Sequence, residues 1–118
     1  MLEFYSIDSD NNEVHYMSLY ERQNDLIIFD DKSVENTKVF LKIGNQFEIL
    51  RHGKVDMNFK FNKEKLTQGY YKNELGLEID FVIKTIKLSF DNNIFNVVYE
   101  LYYANEKIST HKITIKIL

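Results

Sequence analysis

The chain has 118 residues, 44% of them hydrophobic, which is enough for one domain with a hydrophobic core and too apolar for a disordered chain. It contains no cysteine, and this excludes disulfides, thiolate catalysis and zinc sites built on cysteine. The formal net charge of −3 argues against a nucleic-acid-binding protein that depends on a basic surface.

No apolar run approaches the roughly 20 residues that a membrane-spanning helix needs. The first residues, MLEFY, lack the basic segment and the apolar stretch of a signal peptide. We therefore expect a cytoplasmic protein that has no association with a membrane.

Short apolar segments alternate with clusters of Asn, Asp and Gly along the chain, a spacing typical of an all-β barrel or sandwich. Strands are predicted at about 2–8, 13–21, 25–30, 36–43, 47–52, 54–61, 68–73, 76–90, 94–103 and 107–117. Residues 62–66 are polar and have room for one helical turn, and the four glycines fall near predicted turns. No linker divides the sequence, so residues 1–118 are predicted to form a single domain.

Apolar residues occupy every second position on three consecutive strands in the middle of the chain. Joining these strands by three-residue loops pairs apolar residues with each other. The predicted pairs are Ile43 with Phe47, Leu41 with Ile49, Ile49 with Met57, and Phe47 with Phe59. A two-residue loop would instead set Leu41 opposite Glu48. The pattern predicts an antiparallel sheet with one apolar and one polar face.

The segment from Leu77 to Phe90 changes its apolar parity near Val82 and Ile83. A β-bulge or a sheet corner explains such a change within one strand, and barrels need these bends to close. The alternative is a strand end that is buried on both faces. We favour the bend, because closure would remove the edges of so many short strands.

The last hairpin gives a second set of matched pairs. With Ala104-Asn105-Glu106 as the loop, apolar residues again meet across the strands. The predicted pairs are Phe95 with Ile115, Val97 with Ile113, Tyr99 with His111, Asn96 with Thr114, and Glu100 with Thr110. A loop one residue shorter would mix the apolar and polar faces.

Arg51 shares the parity of Phe47 and Ile49, so it is predicted to point towards the apolar face near a strand end. A charge there is costly unless it is paired or stacked. One interpretation is a structural plug, paired with a carboxylate such as Asp30 or Asp31 or stacked on an aromatic ring. The other is a cation that holds a ligand carboxylate or phosphate.

Other residue types that carry chemistry form no recognisable site. The three histidines are scattered without metal-ligand spacing, and His111 is expected to pack beside Tyr99. Glu78 and Asp80 share a face that we expect to be solvated. Because no nucleophile elbow, phosphate loop or dinucleotide motif occurs, we expect no catalytic residue, no metal and no cofactor.

Several short motifs resemble those of the YwiB-like family of uncharacterised bacterial proteins. The main match is Arg51-His52-Gly53 followed by Met57-Asn58-Phe59, and further matching residues are Asp30-Asp31, Thr37, Tyr70-Tyr71, Gly76, Thr85, Tyr99-Glu100 and Ile113-Thr114-Ile115. The resemblance implies a calycin-like, or lipocalin-like, antiparallel up-and-down β-barrel of about eight to ten strands. It brings no established activity, because the family is one of unknown function.

Two functions are compatible with such a barrel. The first is a protein that binds a small apolar or anionic ligand inside, with Arg51, Met57, Tyr71 and Tyr99 as contacts and the Leu41/Ile49/Met57 row as a wall. The second is a barrel filled by its own side chains that acts through its outer surface, as an interaction module or a homodimer. The outward residues Phe40, Val98 and Tyr102 would then contribute to the interface.

Overall fold

The computed structural model describes all 118 residues and contains eleven β-strands and no helix. The strands are β1 (Leu2–Asp8), β2 (Glu13–Ser18), β3 (Tyr20–Gln23), β4 (Leu26–Asp30), β5 (Lys38–Lys42), β6 (Phe47–His52), β7 (Val55–Phe61), β8 (Thr67–Asn73), β9 (Glu78–Asp91), β10 (Ile94–Tyr103) and β11 (Glu106–Ile117). Nothing in the structure is a helix of the length and apolar character needed to cross a bilayer. The predicted all-β class is confirmed.

All eleven strands form one antiparallel sheet in the order β2-β1-β11-β10-β9-β8-β7-β6-β5-β4-β3. The strands at the two ends of this order, β2 and β3, are consecutive in the chain and are separated only by Leu19. The first part of this segment, β2, pairs with β1, and the second part, β3, pairs with β4. The segment therefore nearly closes an up-and-down barrel. The strand predicted at about 13–21 bends here into two, which raises the number of strands to one above the predicted range.

The three-strand meander has the predicted faces but only half of the predicted register. Leu41 pairs with Ile49, as predicted. In the next hairpin Ile49 pairs with Phe59 instead of Met57, and Met57 pairs with Arg51. The prediction was wrong there by two residues along β7, a shift that leaves every side chain on its predicted face.

Contacts outside this hairpin explain the shifted turn. Gly53 has a φ of +146°, and a Cβ atom on it would lie 1.9 Å from the carbonyl oxygen of Asn36. The backbone N–H of Lys54 donates a hydrogen bond to the hydroxyl of Thr37, at 3.1 Å. The loop between β4 and β5 thus fixes the β6–β7 turn. The alternation of residues within the hairpin does not reveal this contact.

The predicted bend in the long strand β9 is confirmed, but its position was wrong. Val98 pairs with Lys87 and Tyr99 with Thr85, so Ile86 is the extra residue of a β-bulge. Inward parity continues through Thr85, which is buried and accepts a hydrogen bond from the backbone of Asn62 at 3.1 Å. A buried threonine does not stand out in an apolar pattern, and for that reason the sequence placed the change too early.

The β10–β11 hairpin has all five predicted pairs, including Tyr99 opposite His111. Its loop is nevertheless one residue shorter than predicted, because Tyr103 pairs with Glu106. A register shift after Leu101 compensates for the shorter loop and keeps the two faces separate. Ala104 and Asn105 form the turn with φ of 50° and 65°, as a tight two-residue hairpin loop requires.

Gly69 is the third residue of β8 and lies close to the turn before this strand, as predicted. A Cβ atom there would lie 2.8 Å from Ile83 Cδ1 and 2.9 Å from Phe59 Cδ1. The absent side chain therefore makes room for two core residues. Residues 62–66 form a turn without a helix, in which the side-chain oxygen of Asn62 accepts a hydrogen bond from the backbone of Glu64.

Seventeen buried hydrophobic residues form a single core cluster inside the barrel. At the end where β5 turns into β6 and β9 into β10, aromatic rings fill the interior. Phe47 and Phe95 have ring centroids 5.9 Å apart, and Phe61 is fully buried beside the same core. This end of the barrel is therefore closed by side chains.

Candidate ligand cavity inside the barrel

The other half of the barrel interior holds a cavity of about 340 Å³. It lies towards the end that carries the β1–β2, β4–β5, β6–β7, β8–β9 and β10–β11 connections, which we call the mouth. Twelve of its sixteen lining residues are hydrophobic. The lining consists of Phe4, Ser6, Val39, Ile49, Arg51, Met57, Phe59, Tyr71, Ile79, Phe81, Tyr99, Leu101, Ile108, Ser109, His111 and Ile113.

The four residues that the sequence nominated as ligand contacts, Arg51, Met57, Tyr71 and Tyr99, all line this cavity. Tyr70 instead borders a groove on the outer surface, because adjacent strand residues point to opposite faces. The nominated wall is brought together only in part. Ile49 and Met57 line the cavity, whereas Leu41 is fully buried in the core and does not.

Arg51 lies near the mouth and forms an ion pair with Asp31. Its Nε is 3.2 Å from Asp31 Oδ2, with 23% of the arginine side chain exposed and none of the aspartate side chain. Of the two carboxylates that the sequence offered, the structure therefore selects Asp31. The neighbouring Asp30 pairs on the outside with Lys38, at 3.2 Å.

The hydrogen bonds of this ion pair are incomplete. Asp31 Oδ1 accepts hydrogen bonds from the backbone and the hydroxyl of Ser33. Asp31 Oδ2 has no hydrogen-bond partner, so Arg51 holds it by charge and not by an aligned N–H donor. The buried hydroxyl of Tyr16 also lacks a partner, and burial together with the charge of Asp31 raises the pKa of Tyr16.

Tyr99 and His111 form a second polar element of the cavity. Their rings stack with centroids 5.1 Å apart, which confirms the predicted packing of His111. Burial raises the pKa of Tyr99 far above its ordinary value, so its hydroxyl stays protonated and remains a hydrogen-bond donor. Burial lowers the pKa of His111, whose Nε2 lies 2.7 Å from the hydroxyl of Ser109.

Sequence reasoning did not nominate Ser109 and His111 as cavity residues. The available signal was parity, because both share the inward face of β11 with Ile113. Parity could not identify Ile108, which lines the cavity at the mouth and is 54% exposed. It precedes Ser109 at the register shift, where simple alternation no longer holds.

A groove of about 540 Å³ runs across the outer surface of the meander. Phe40, Leu50, Asn58 and Tyr70 are successive cross-strand partners that lie on its floor. The side-chain oxygen of Asn58 is buried there without a hydrogen-bond partner. The outward direction predicted for Phe40 is confirmed, although its side chain is half-buried.

Residues 6–115 match a family model described as "Domain of unknown function (DUF1934)". The chain belongs to this family. The crystal structure of the ywiB protein from Bacillus subtilis shares the fold of this DUF1934 domain, with a TM-score of 0.63 at 18% sequence identity. The likeness covers 98% of this chain and 88% of that chain, and it confirms the predicted YwiB-like resemblance. No curated protein matches the chain.

In this DUF1934 barrel, the motif Arg51-His52-Gly53 meets Asp31 and Thr37 at the mouth. Arg51 pairs with Asp31, and Gly53 packs against the backbone of Asn36 and Thr37. His52 is exposed and lies 3.0 Å from Asp56 across the turn. The motif therefore joins the β4–β5 and β6–β7 connections and holds Arg51 beside the cavity.

Proposed function

We propose that this protein acts in the cytoplasm as a non-enzymatic binding protein for a small, largely apolar molecule held inside the barrel. The observation that carries the proposal is the hollow half of the interior, with a volume of about 340 Å³. A cavity that is mostly apolar and has a few polar groups is the usual build of a small-molecule site. Arg51, Tyr71, Tyr99 and Met57 are the proposed contacts, with the stacked His111 at the rim.

The volume limits the size of the ligand. A water molecule takes about 30 Å³ of the liquid, so the cavity corresponds to roughly ten non-hydrogen atoms of ligand. This lies at the lower end of the usual range of ligand pockets, about 300–1,000 Å³. The proposal therefore favours a short-chain or single-ring compound over a sterol or a long-chain lipid.

The test uses 1-octanol as a neutral probe of suitable size, followed by methyl-labelled NMR of the protein. We expect octanol to shift the methyl signals of Ile49, Met57 and Ile113 and to leave that of the exposed Ile86 unchanged. Ile79→Phe fills the cavity and should weaken binding, whereas Ile86→Phe adds the same bulk outside and should not. A wild-type spectrum that octanol leaves unchanged would overturn the proposal.

A second candidate function is association through the outer groove, as a homodimer. It is favoured by the row of half-buried Phe40, Leu50 and Tyr70 and by the unpartnered oxygen of Asn58 within that row. Analytical ultracentrifugation tests it, with Leu50→Lys as the disrupting variant and Leu75→Lys as a control at an exposed position outside the groove. A wild-type monomer at high protein concentration would contradict the dimer.

A further inference from the structure

We propose that the cavity is selective for a monocarboxylate whose acid group binds Arg51, an inference that rests on the proposed binding function. The first observation is the state of the guanidinium group. Its only charged contact is Nε to Asp31 Oδ2, at 3.2 Å, and that contact is not a hydrogen bond. An arginine has five N–H donors in a planar fork, so both terminal nitrogens are left for a ligand.

The arrangement of donors suits a carboxylate. A planar guanidinium binds a carboxylate through two parallel N–H···O bonds, which are shorter and stronger than neutral hydrogen bonds. The Asp31 carboxylate lies nearest to Nε, at 3.2 Å, and so occupies one side of the guanidinium group. The protonated hydroxyl of Tyr99 lines the same cavity and supplies a further donor.

The local charges favour one negative charge on the ligand over two. Asp31 already offsets the charge of Arg51, and Asp8 and Asp10 bring further negative charge close to His111. A phosphate monoester would place about two negative charges against this one shared cation. A monocarboxylate completes the hydrogen bonds of Arg51 with the smaller repulsion.

The apolar lining then receives the rest of the molecule. Phe4, Phe81 and Ile113 line the same cavity as Arg51 and offer only hydrocarbon surface. A saturated tail or a single ring would bury its apolar surface there, which favours binding through the hydrophobic effect. Octanoate has a suitable size and is the natural probe.

The experiment compares octanoate, 1-octanol and octyl phosphate by titration calorimetry. Wild-type protein should bind octanoate at least about tenfold more tightly than the other two, because hydrogen bonds between charged groups are stronger than those of a neutral hydroxyl. The double variant Asp31→Asn/Arg51→Gln should lose this preference and still bind octanol. It removes both charges of the pair, so no buried charge is left alone to unfold the protein.

The matched control is Asp30→Asn/Lys38→Gln. It removes a neighbouring ion pair on the outer surface and should keep the octanoate preference. Equal binding of octanoate and octanol by the wild-type protein would overturn the carboxylate inference while leaving the binding function in place. A preference for octanoate that persists in the Asp31→Asn/Arg51→Gln variant would also overturn the carboxylate inference. If none of the three probes binds, the proposed function itself fails, and the inference fails with it.

Discussion

At the scale of single residues, the two interpretations of Arg51 turn out to be compatible. The structure pairs Arg51 with a fully buried carboxylate, as a structural plug requires, and the same side chain lines a cavity. A guanidinium can serve both purposes because its Nε edge and its terminal nitrogens point in different directions. The sequence could nominate the residue, but it could not show that only one edge is occupied.

The structural part of this role predicts a loss of stability. Arg51→Met should lower the free energy of unfolding by about 2–4 kcal/mol, because it leaves the Asp31 carboxylate buried without a countercharge. This loss is smaller than is usual for a broken buried ion pair, because Ser33 still donates hydrogen bonds to Asp31. Urea unfolding monitored by circular dichroism measures it, and Arg51→Met/Asp31→Asn should recover most of the loss. An Arg51→Met variant as stable as the wild type would show that the ion pair has no structural role.

Because His111 is partly buried, we expect the free energy of unfolding to depend on pH. Burial against Tyr99 lowers its pKa in the folded protein below the ordinary value of 6.5, although the charges of Asp8 and Asp10 partly oppose this effect. The unfolded chain therefore takes up a proton first, so the contribution of His111 to stability is constant above about pH 6.5 and falls as the pH drops below it.

Unfolding free energies measured in urea between pH 7.5 and 5.5 test this prediction. His111→Phe keeps an aromatic ring beside Tyr99 and should remove this part of the decline. His52→Phe is the control, because it replaces an exposed histidine at the end of β6 and should keep the decline. Identical profiles for the wild type and His111→Phe would contradict the prediction.

At the scale of elements, register depends on irregularities as much as on alternation. The bulge at Ile86 and the register shift near Ile108 each add one residue to a strand. After each extra residue, the set of positions that point into the barrel changes from odd to even numbers or the reverse. Alternation alone predicted that such a correction was needed in β9. It could not locate the correction, because Thr85 is both polar and buried.

The turn of the last hairpin gives a prediction at this scale. Ala104 has a φ of 50°, a left-handed conformation that costs a residue with a Cβ atom about 1–2 kcal/mol and glycine very little. Ala104→Gly should therefore stabilise the protein by about 0.5–1 kcal/mol after its larger loss of backbone entropy is subtracted. Urea unfolding measures the change, with Ala104→Ser as a control that keeps the strain. A destabilised glycine variant would show that the turn is not strained.

At the scale of the whole molecule, the barrel should unfold as one unit. β1 pairs with β11, the last strand, and the segment that bends at Leu19 joins the two ends of the sheet. Since every strand depends on neighbours around the ring, no part can separate at low cost. Far-ultraviolet circular dichroism and tyrosine fluorescence should give the same urea midpoint. Two separate midpoints would indicate that the filled and hollow halves unfold independently.

The sequence by itself determined most of the strands and the direction of most of their side chains. It could do so because strand periodicity is local, and a buried apolar residue at every second position leaves few alternatives. It also nominated Arg51, since a charge on an apolar face is costly enough to stand out.

Only the tertiary structure decided the register of the β6–β7 hairpin, the choice of Asp31 over Asp30 and the division of the interior into a filled and a hollow half. Each of these depends on contacts between segments that are distant in the chain. Gly53 against Asn36 and Arg51 against Asp31 are two such contacts. The rings of Phe47, Phe61 and Phe95 belong to the core at the filled end, and alternation along one strand does not show where inward side chains meet across the barrel.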